Sequence, residues 1–455
     1  MTVVNRRRFL QGTGAAGLGL AFSGLISACA STSSALTTTK AASTGEFSAA
    51  NIDWKKFAGT SLTFAASANP WVTAIQSQIP TFQKLTGINL SIQVLGEDEF
   101  VTKLPLTLTA GSKSPEVFMV NQAGQAVGAR WVASIDTFLN DASLTDLSWY
   151  DPDDFFSSAR SFAVTGGTQW LMPISAEVQV LYARSDLVKS APKTFSDLTR
   201  AAAAAQSAGK NVAGLGMRAS ADPSETPWPF GGFVFSYGGF FIDSSGKPAF
   251  DSPAAIAAME SYTNLLKQYG PKGVTSWGWL QNQQAMEQGE IAMWADSTSF
   301  ASTLLDPTQA RYAKQTVVYP FPAQNGVSVP NVWFWTVGIN NKADIQQQQA
   351  AWLFVQWATS KPTYAAIAAS TGTAPRASAW STSGISSKLG PSVTSTIHDA
   401  LFSAQSQQMA LAWNDPKWSQ IATYVAEAVN SVVAGSSSAA AAAKSLQSNA
   451  LSVTA

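Results

Sequence analysis

Apolar residues recur with two different periods along the first third of the chain. Leu62 and Phe64 alternate with polar neighbours, and so do the apolar residues from Ile88 to Val94, which predicts two strands. Between them, Asn69-Pro70 begins one helix with an apolar face, and Gly87 ends it. Val117–Val120 is wholly apolar, as expected of a strand buried in a parallel sheet. Strands alternating with helices predict the start of a doubly wound α/β lobe.

A second set of patterns indicates a second α/β lobe. An apolar strand closes on Leu181-Tyr182, and Thr194–Asp197 has the spacing of a capping box in front of an alanine-rich helix. Asp251–Pro253 begins another helix, which ends at Gly270. Ala439–Leu446 predicts a surface helix or a frayed one. Two such lobes, with the chain returning between them, would leave a cleft at their junction.

The N-terminal segment has two conflicting interpretations. Gly12–Gly17 spells G-x-G-x-x-G, the glycine pattern of dinucleotide-binding loops. That loop needs a preceding strand and an acidic residue about 20 positions later. No strand pattern precedes it, and the first acidic residue is Glu46. The arginines at 6–8 followed by a short apolar run instead predict an export signal over residues 1–28.

The same segment resembles two bacterial targeting motifs. Arg6-Arg7 resembles the core of a twin-arginine export signal, and Ile26–Cys29 resembles a lipobox whose cysteine is lipidated. A transmembrane helix is the alternative, and the small residues of the run and its end at the only cysteine argue against it. Residues 29–52 then form a lipidated cysteine and a flexible Ser/Thr/Ala tether, with folded structure beginning near Trp54.

Composition narrows the classes of protein. The chain has 28 basic and 28 acidic residues, so no basic excess points to nucleic acid. Charged residues are only 12%, while the chain contains 16 tryptophans, which serve either a large core or flat apolar plates for sugar rings. With one cysteine, the chain has no internal disulfide, and lipidation of Cys29 would leave no thiol for catalysis or a metal.

Four segments in order carry a resemblance to a known family. They are "MPISAEVQVLYARSDL" with "APKTFSDL", then "FSYGGFFIDSSGKPAFDSPAAIAAM", then "AMEQGEIAMWADST". The chain resembles the extracellular solute-binding proteins of ABC importers, in the carbohydrate-binding branch that includes maltodextrin-binding proteins. "MWADST", "NVWFWTVGI" and "FVQWATSK" are most similar to the sorbitol/mannitol-type polyol binders.

The resemblance implies a fold, a partner and a set of boundaries. The fold is two doubly wound α/β lobes of the type II periplasmic-binding-protein kind, joined by crossovers near Ile174–Ala176, Asn331–Trp333 and Ala374–Arg376. Residues 53–174 plus 334–374 would form lobe 1, and residues 175–333 plus 375–455 lobe 2. The implied partners are a carbohydrate or polyol and the membrane permease. We expect a monomer, anchored by lipid to the outer face of the membrane, with no cofactor and no metal.

Carboxylates and indoles near the crossovers are the first candidate ligand residues. Glu177 lies in an apolar run, where a carboxylate must be paired, either with sugar hydroxyls or in a structural ion pair. Asp296 opens a Ser/Thr patch and would bind ligand, cap the next helix, or both. Trp333 and Trp335 are two apart on one predicted strand and therefore face the same side, either under a sugar or in the core.

Two arginines and a third tryptophan complete the candidate set. Arg376, at the third crossover, would donate in a fork to neighbouring hydroxyls or brace the hinge. Arg218 lies in the polar "MRASADPSET" loop, and Trp71 follows the first strand as a further stacking plate.

A secreted enzyme is the competing class. An esterase triad needs a histidine, and the lone His398 lies in a Ser/Thr-rich helical stretch with no G-x-S-x-G elsewhere. A glycosidase needs only two carboxylates about 5–10 Å apart, so Glu177 and Asp296 leave that alternative open by residue type. The family resemblance, which carries no catalytic pair, argues against an enzyme.

Overall fold

The structure, a computed structural model, describes residues 44–120, 122–404 and 407–454. The predicted export signal at Arg6-Arg7 and the predicted lipidation site at Cys29 lie outside these residues. Within them, no helix is both long and apolar enough to cross a membrane.

The helices and strands alternate from Ser61 to Gly128, and beyond that point they mostly occur in runs of one kind. The helices are α1 Thr44–Phe47, α2 Pro70–Gln76, α3 Ile79–Thr86, α4 Glu97–Thr109, α5 Ala123–Gly128, α6 Ile135–Leu139, α7 Leu147–Tyr150, α8 Ser157–Phe162, α9 Phe195–Ala208, α10 Pro227–Ser236, α11 Pro253–Tyr269, α12 Trp279–Gln288, α13 Ala301–Leu304, α14 Ile345–Ala358, α15 Lys361–Thr371, α16 Ala377–Trp380, α17 Ser383–Leu389, α18 Pro391–Ser403, α19 Gln407–Trp413, α20 Trp418–Val433 and α21 Ala439–Thr454. The strands are β1 Ser61–Ser67, β2 Asn89–Leu95, β3 Val117–Val120, β4 Val164–Thr165, β5 Thr168–Gln169, β6 Met172–Pro173, β7 Glu177–Arg184, β8 Met293–Ser297, β9 Thr316–Pro320, β10 Val332–Trp333 and β11 Thr336–Ile339.

The first sheet has the order β2-β1-β3-β11-β6. Strand β1 runs parallel to both β2 and β3, as the apolar patterns predicted, and β11 runs antiparallel to β3 and β6. Helix α14 packs on β1 and β11 and buries Trp352 and Trp357. This half of the core therefore contains a segment that returns from far along the chain.

The second sheet is built around β7, which pairs antiparallel with β8, β9 and β10. The chain leaves the first sheet after Pro173 and enters β7 at Glu177, and it returns between Trp333 of β10 and Thr336 of β11. Two of the predicted crossovers coincide with these changes of sheet. They are bonded to each other, because the Ile174 amide donates to the Trp335 carbonyl at 2.7 Å.

Local sequence signals account for several helix ends. In α9, the Asp197 amide donates to Thr194 Oγ1 and the Thr194 amide donates to the Asp197 carboxylate, each at 3.0 Å, which is the predicted capping box. Helix α11 begins after Ser252 with Pro253 in its first turn, and it ends before Gly270, as predicted. These caps satisfy backbone amides that the first turn leaves unpaired.

Three sequence-based expectations of local structure are wrong. The single helix predicted from Pro70 is two helices, because Pro80 cannot donate within a continuous helix and instead lies in the first turn of α3. The C-terminal helix is neither frayed nor confined to 439–446. It extends to Thr454 and buries Leu446 and Ala450 against α20 and α11.

Order also begins earlier than the predicted tether allows. Phe47 in α1 is completely buried, and its ring lies 6.0–6.3 Å from the rings of Trp54, Trp149 and Trp357. The Trp54 indole donates to the Phe47 carbonyl at 2.9 Å. The last residues of the predicted tether therefore belong to the core on the side of the first sheet.

Candidate functional site

Glu177 lies at the point where the chain enters the second sheet. It is the first residue of β7 and pairs in register with Trp333 of β10. Its side chain remains partly exposed, and its Oε2 accepts a hydrogen bond from Ser297 Oγ at 2.5 Å. Burial raises the pKa of Glu177, and the Ser297 hydroxyl and the nearby Arg218 partly offset that shift. Glu177 has no ion-pair partner of its own, so the structural ion pair considered for it is absent from the described residues.

Two serines extend this polar surface. Ser297 Oγ lies 2.9 Å from Ser299 Oγ and accepts from the Ser299 amide at 3.1 Å. Ser297, rather than Asp296, therefore caps the short 3-10 turn Thr298–Phe300. The Ser/Thr patch was visible in the sequence, but its contact with Glu177, 120 positions away, appears only in the fold.

Asp296 and Arg218 form a buried pair with each other. Asp296 is completely buried and accepts four hydrogen bonds: two from the Arg218 guanidinium, one from the Trp294 indole and one from the Ser297 amide. Arg218 is only 7% exposed and also donates to Glu225 at 3.3 Å. Burial lowers and the facing Asp296 carboxylate raises the pKa of Arg218, with a net upward shift. The placement of this pair argues against direct ligand contact and assigns it to supporting β8 beneath Glu177.

The two tryptophans lie together, although not on one strand. Trp333 ends β10, whereas Trp335 lies in the crossing to β11, so the predicted continuous strand is wrong. Both indoles are partly exposed, and they meet edge to face with ring centroids 5.9 Å apart and an interplanar angle of 80°. Because Trp333 is the register partner of Glu177, a half-buried carboxylate and two indoles adjoin one crossing between the sheets.

A third aromatic residue of this group was missed by sequence reasoning. Trp413 of α19 packs edge to face on Trp333, with centroids 4.5 Å apart, and stacks on Phe162 at 4.8 Å. Its buried indole nitrogen has no hydrogen-bond partner within the described part of the chain. The one available sequence signal was the tryptophan of the "WNDP" turn.

Arg376 and Trp71 are placed away from any open surface. Arg376 is completely buried and donates to the carbonyls of Thr359, Asp151 and Tyr150 and to the Asp154 carboxylate. It therefore braces the third crossover, which was the alternative to its predicted ligand role. Trp71 is 3% exposed and packs edge to face on Phe64, so its predicted role as a stacking plate is replaced by one in the core.

This arrangement suits the binding of hydroxyl groups better than catalysis. Carboxylate and serine oxygens supply acceptors and donors, and indoles supply apolar surface for C–H groups. The glycosidase alternative needs a second free carboxylate, but Asp296 has no exposed surface and all its bonds are made. Among the described residues, no group of three or more His, Cys, Asp and Glu side chains is arranged to hold a metal ion.

Comparison with known proteins gives the family. Residues 65–365 match the family model described as bacterial extracellular solute-binding protein. The erythritol/L-threitol-binding protein of Mycolicibacterium smegmatis is 26% identical over 333 residues, which cover 68% of this chain and 68% of that protein. The mannitol-binding protein of Pseudomonas aeruginosa is 27% identical over 218 residues, which cover 47% of this chain and only 50% of that protein.

A solved structure agrees with the fold over most of the chain. The ABC transporter solute-binding protein of Agrobacterium radiobacter K84, in complex with ribitol, aligns with a TM-score of 0.76 and 21% identity. The alignment covers 87% of this chain and 99% of that chain. The predicted two-lobed α/β fold class is confirmed.

Proposed function

This chain belongs to the bacterial extracellular solute-binding protein family, and we propose that it binds a sugar alcohol between its two lobes and delivers it to an ABC permease. The ligand is released unchanged, and the protein is not an enzyme. Relatives named for erythritol, threitol and mannitol binding support this choice of ligand class.

The observation that carries the proposal is the position of Glu177. It lies where the chain passes from one sheet to the other, partly exposed, with one carboxylate oxygen bonded to Ser297 and no cation paired to it among the residues that the structure describes. A half-buried carboxylate in this setting is stabilised by additional donors. Vicinal hydroxyls of a polyol supply such donors, and they carry no charge that the nearby Asp296 would repel.

The partly exposed indoles of Trp333 and Trp335 supply the apolar part of the proposed site. A polyol presents C–H groups between its hydroxyls, and these pack on an aromatic face. Hydrogen bonds to a charged group contribute roughly 1.5–3 kcal/mol each. Three or four of them with one aromatic contact of about 1 kcal/mol exceed the ~8 kcal/mol of a micromolar site, leaving a margin for the entropy of closure.

The lobe boundaries and the anchor are parts of the same proposal. Residues 53–174 with 334–374 form lobe 1, to which the buried Phe47 of α1 adds residues 44–52, and residues 175–333 with 375–455 form lobe 2. Lipidation of Cys29 after twin-arginine export holds the receptor at the outer face of the membrane. These assignments follow from the sequence motifs and from the family.

A melting-temperature screen tests the proposed function. Erythritol, threitol, ribitol and mannitol are tested against maltose and against a non-hydroxylated osmolyte. A ligand at 100 times its dissociation constant adds about 2.7 kcal/mol to the unfolding free energy, which gives a clear shift. The best ligand is then incubated with the protein and recovered unchanged. No shift with any polyol, or conversion of the ligand, would contradict the proposal.

A further inference from the structure

A turn near the C-terminus reaches from one side of the molecule to the other. Residues 414–416 join α19 to α20. Helix α20 is fixed on the side of the second sheet, where Trp418 stacks on Phe241 with centroids 5.3 Å apart. On that side, the side-chain amide of Asn430 also donates to the backbone carbonyls of Ala219 and Thr275, each at 2.7 Å. The turn itself lies against elements that follow β3 of the first sheet.

Helix α5 provides the surface on which this turn rests. A Cβ atom placed on Gly124 would lie 2.4 Å from the Asp415 carbonyl carbon and 2.5 Å from the Asn414 oxygen. Backbone atoms cannot yield to such an overlap. One turn further along the same face, a Cβ on Gly128 would lie 3.5 Å from the Pro416 side chain, an ordinary contact. The close approach of the turn therefore depends on the missing side chain of Gly124.

The Asn414 side chain holds the turn to a second element on the same side. Its amide donates to the Val164 carbonyl at 3.1 Å, and its oxygen accepts from Thr165 Oγ1 at 2.7 Å. The β4–β5 hairpin that carries these partners is fixed to α6, because the Gln169 amide donates to the Asp136 carboxylate at 3.0 Å. Asn414 thus uses both ends of its side-chain amide to hold the turn to this one hairpin.

Trp413 connects this turn to the candidate site. It is completely buried, stacks on Phe162 at the end of α8, and packs edge to face on Trp333 with centroids 4.5 Å apart. A displacement of the turn from α5 would remove support from the Trp333 ring.

We propose that Trp413–Pro416 is a latch that holds the two lobes in the arrangement of this structure, which we take as the ligand-binding one, and positions Trp333 for the ligand. The inference rests on the proposed function for its ligand, and the contact on α5 is independent of it. A ligand that binds only this arrangement has an apparent dissociation constant that rises as the fraction of molecules in it falls. Asn414 and Gly124 are therefore positioning residues, which set affinity without touching the ligand.

The test compares two identical substitutions four residues apart on α5. Gly124→Ala places a methyl group where the backbone of Asn414 and Asp415 lies, whereas Gly128→Ala places one in ordinary contact with Pro416. Alanine is the better helix former at both positions, so neither change should weaken the helix itself. We expect Gly124→Ala to weaken binding of the best polyol by about tenfold or more in isothermal titration and Gly128→Ala to leave it within about twofold. Equal affinity of Gly124→Ala and wild type overturns the latch.

A second variant and a measurement without ligand complete the test. If Gly124→Ala melts abnormally, Asn414→Ala, which removes two hydrogen bonds and adds no atoms, decides in its place. Amide hydrogen exchange in the ligand-free protein should accelerate in both 123–128 and 413–418 for Gly124→Ala and not for Gly128→Ala. If wild type binds no polyol, the proposed function fails, and the exchange comparison alone decides the latch. Unchanged exchange would then overturn it.

Discussion

The Arg218 guanidinium donates two hydrogen bonds to the Asp296 carboxylate, from Nε to Oδ2 at 2.9 Å and from Nη2 to Oδ1 at 2.6 Å. Both groups are withdrawn from solvent, and the Trp294 indole donates to the same carboxylate at 3.0 Å. A bidentate pair of this kind fixes orientation as well as charge. Because Asp296 precedes Ser297 in β8 and accepts from its amide, the pair supports the Glu177–Ser297 contact.

Replacing Asp296 with Asn should destabilise the fold. The substitution removes the bidentate counter-charge of the buried Arg218 and leaves only the longer contact with Glu225, which costs about 3–5 kcal/mol of unfolding free energy. Denaturant titration of the ligand-free protein measures it. Asp153→Asn, which breaks an exposed pair with Arg160, is the control and should cost less than about 1 kcal/mol. Normal stability of Asp296→Asn combined with lost binding would assign Asp296 to the ligand instead.

Replacing Glu177 with Gln should weaken polyol binding and leave the stability of the fold nearly unchanged. The amide keeps the shape of the side chain but weakens the hydrogen bonds that hydroxyls donate to it, so polyol affinity should fall by about 1–3 kcal/mol. The melting temperature without ligand should stay within a few degrees of wild type. Titration calorimetry measures the affinity, with Glu260→Gln on the exposed face of α11 as the matched control. Wild-type affinity in Glu177→Gln would place the site elsewhere.

Stability should depend on pH through the same residue. Burial raises the pKa of Glu177 above its ordinary 4.5, so the folded state binds more protons than the unfolded state just above that pH. The contribution of Glu177 to the unfolding free energy therefore falls as pH rises through this window. Glu177→Gln cannot ionise, so it should gain stability relative to wild type from pH 4.5 toward neutrality. A difference between the two proteins that stays constant with pH contradicts this.

Replacing Trp335 with Ala should weaken polyol binding and reduce the ligand-induced change in tryptophan fluorescence. The partly exposed ring gives up an aromatic contact of about 1 kcal/mol. Trp149→Phe is the control, because it removes a tryptophan from the aromatic cluster around Phe47 and not from the proposed site. If Trp335→Ala binds normally and keeps the full fluorescence change, its ring is not part of the site.

Membrane association should depend on the N-terminal motif. Cys29→Ala should release the exported protein from the membrane fraction, because a lipid anchor requires the cysteine sulfur. Replacing Arg6 and Arg7 with Lys should block export of the folded precursor. Fractionation and immunoblotting measure both, and tight membrane binding of Cys29→Ala would contradict the anchor.

Local signals in the sequence predicted much of the first lobe. The alternation that placed β1 and β2 reflects one buried face of each strand, and the Thr194–Asp197 box acts within four residues. The break at Pro80 was visible in the sequence and was overridden by an apolar face that continued across it.

The site was predicted only in part, because its contacts join distant residues. Arg218 and Asp296 were each predicted as ligand contacts, and the structure pairs them with each other across 78 positions. The Glu177–Ser297 contact spans 120 positions. Trp413 belongs to a C-terminal turn that lies outside the segments carrying the family resemblance. Spacing along the chain gives no information about such pairs until the fold brings them together.

The buried ring of Phe47 has a mechanical consequence for a protein held at a membrane. With lipid on Cys29, the 15 residues to Thr44 can extend no further than about 50 Å. A force on the segment between Cys29 and Thr44 would enter the folded protein near Phe47. Phe47 is packed against Trp54, Trp149 and Trp357 on the side of the first sheet. If Cys29 carries the proposed lipid, the first lobe would be the half attached to the membrane, and the second lobe the half left free to move relative to it.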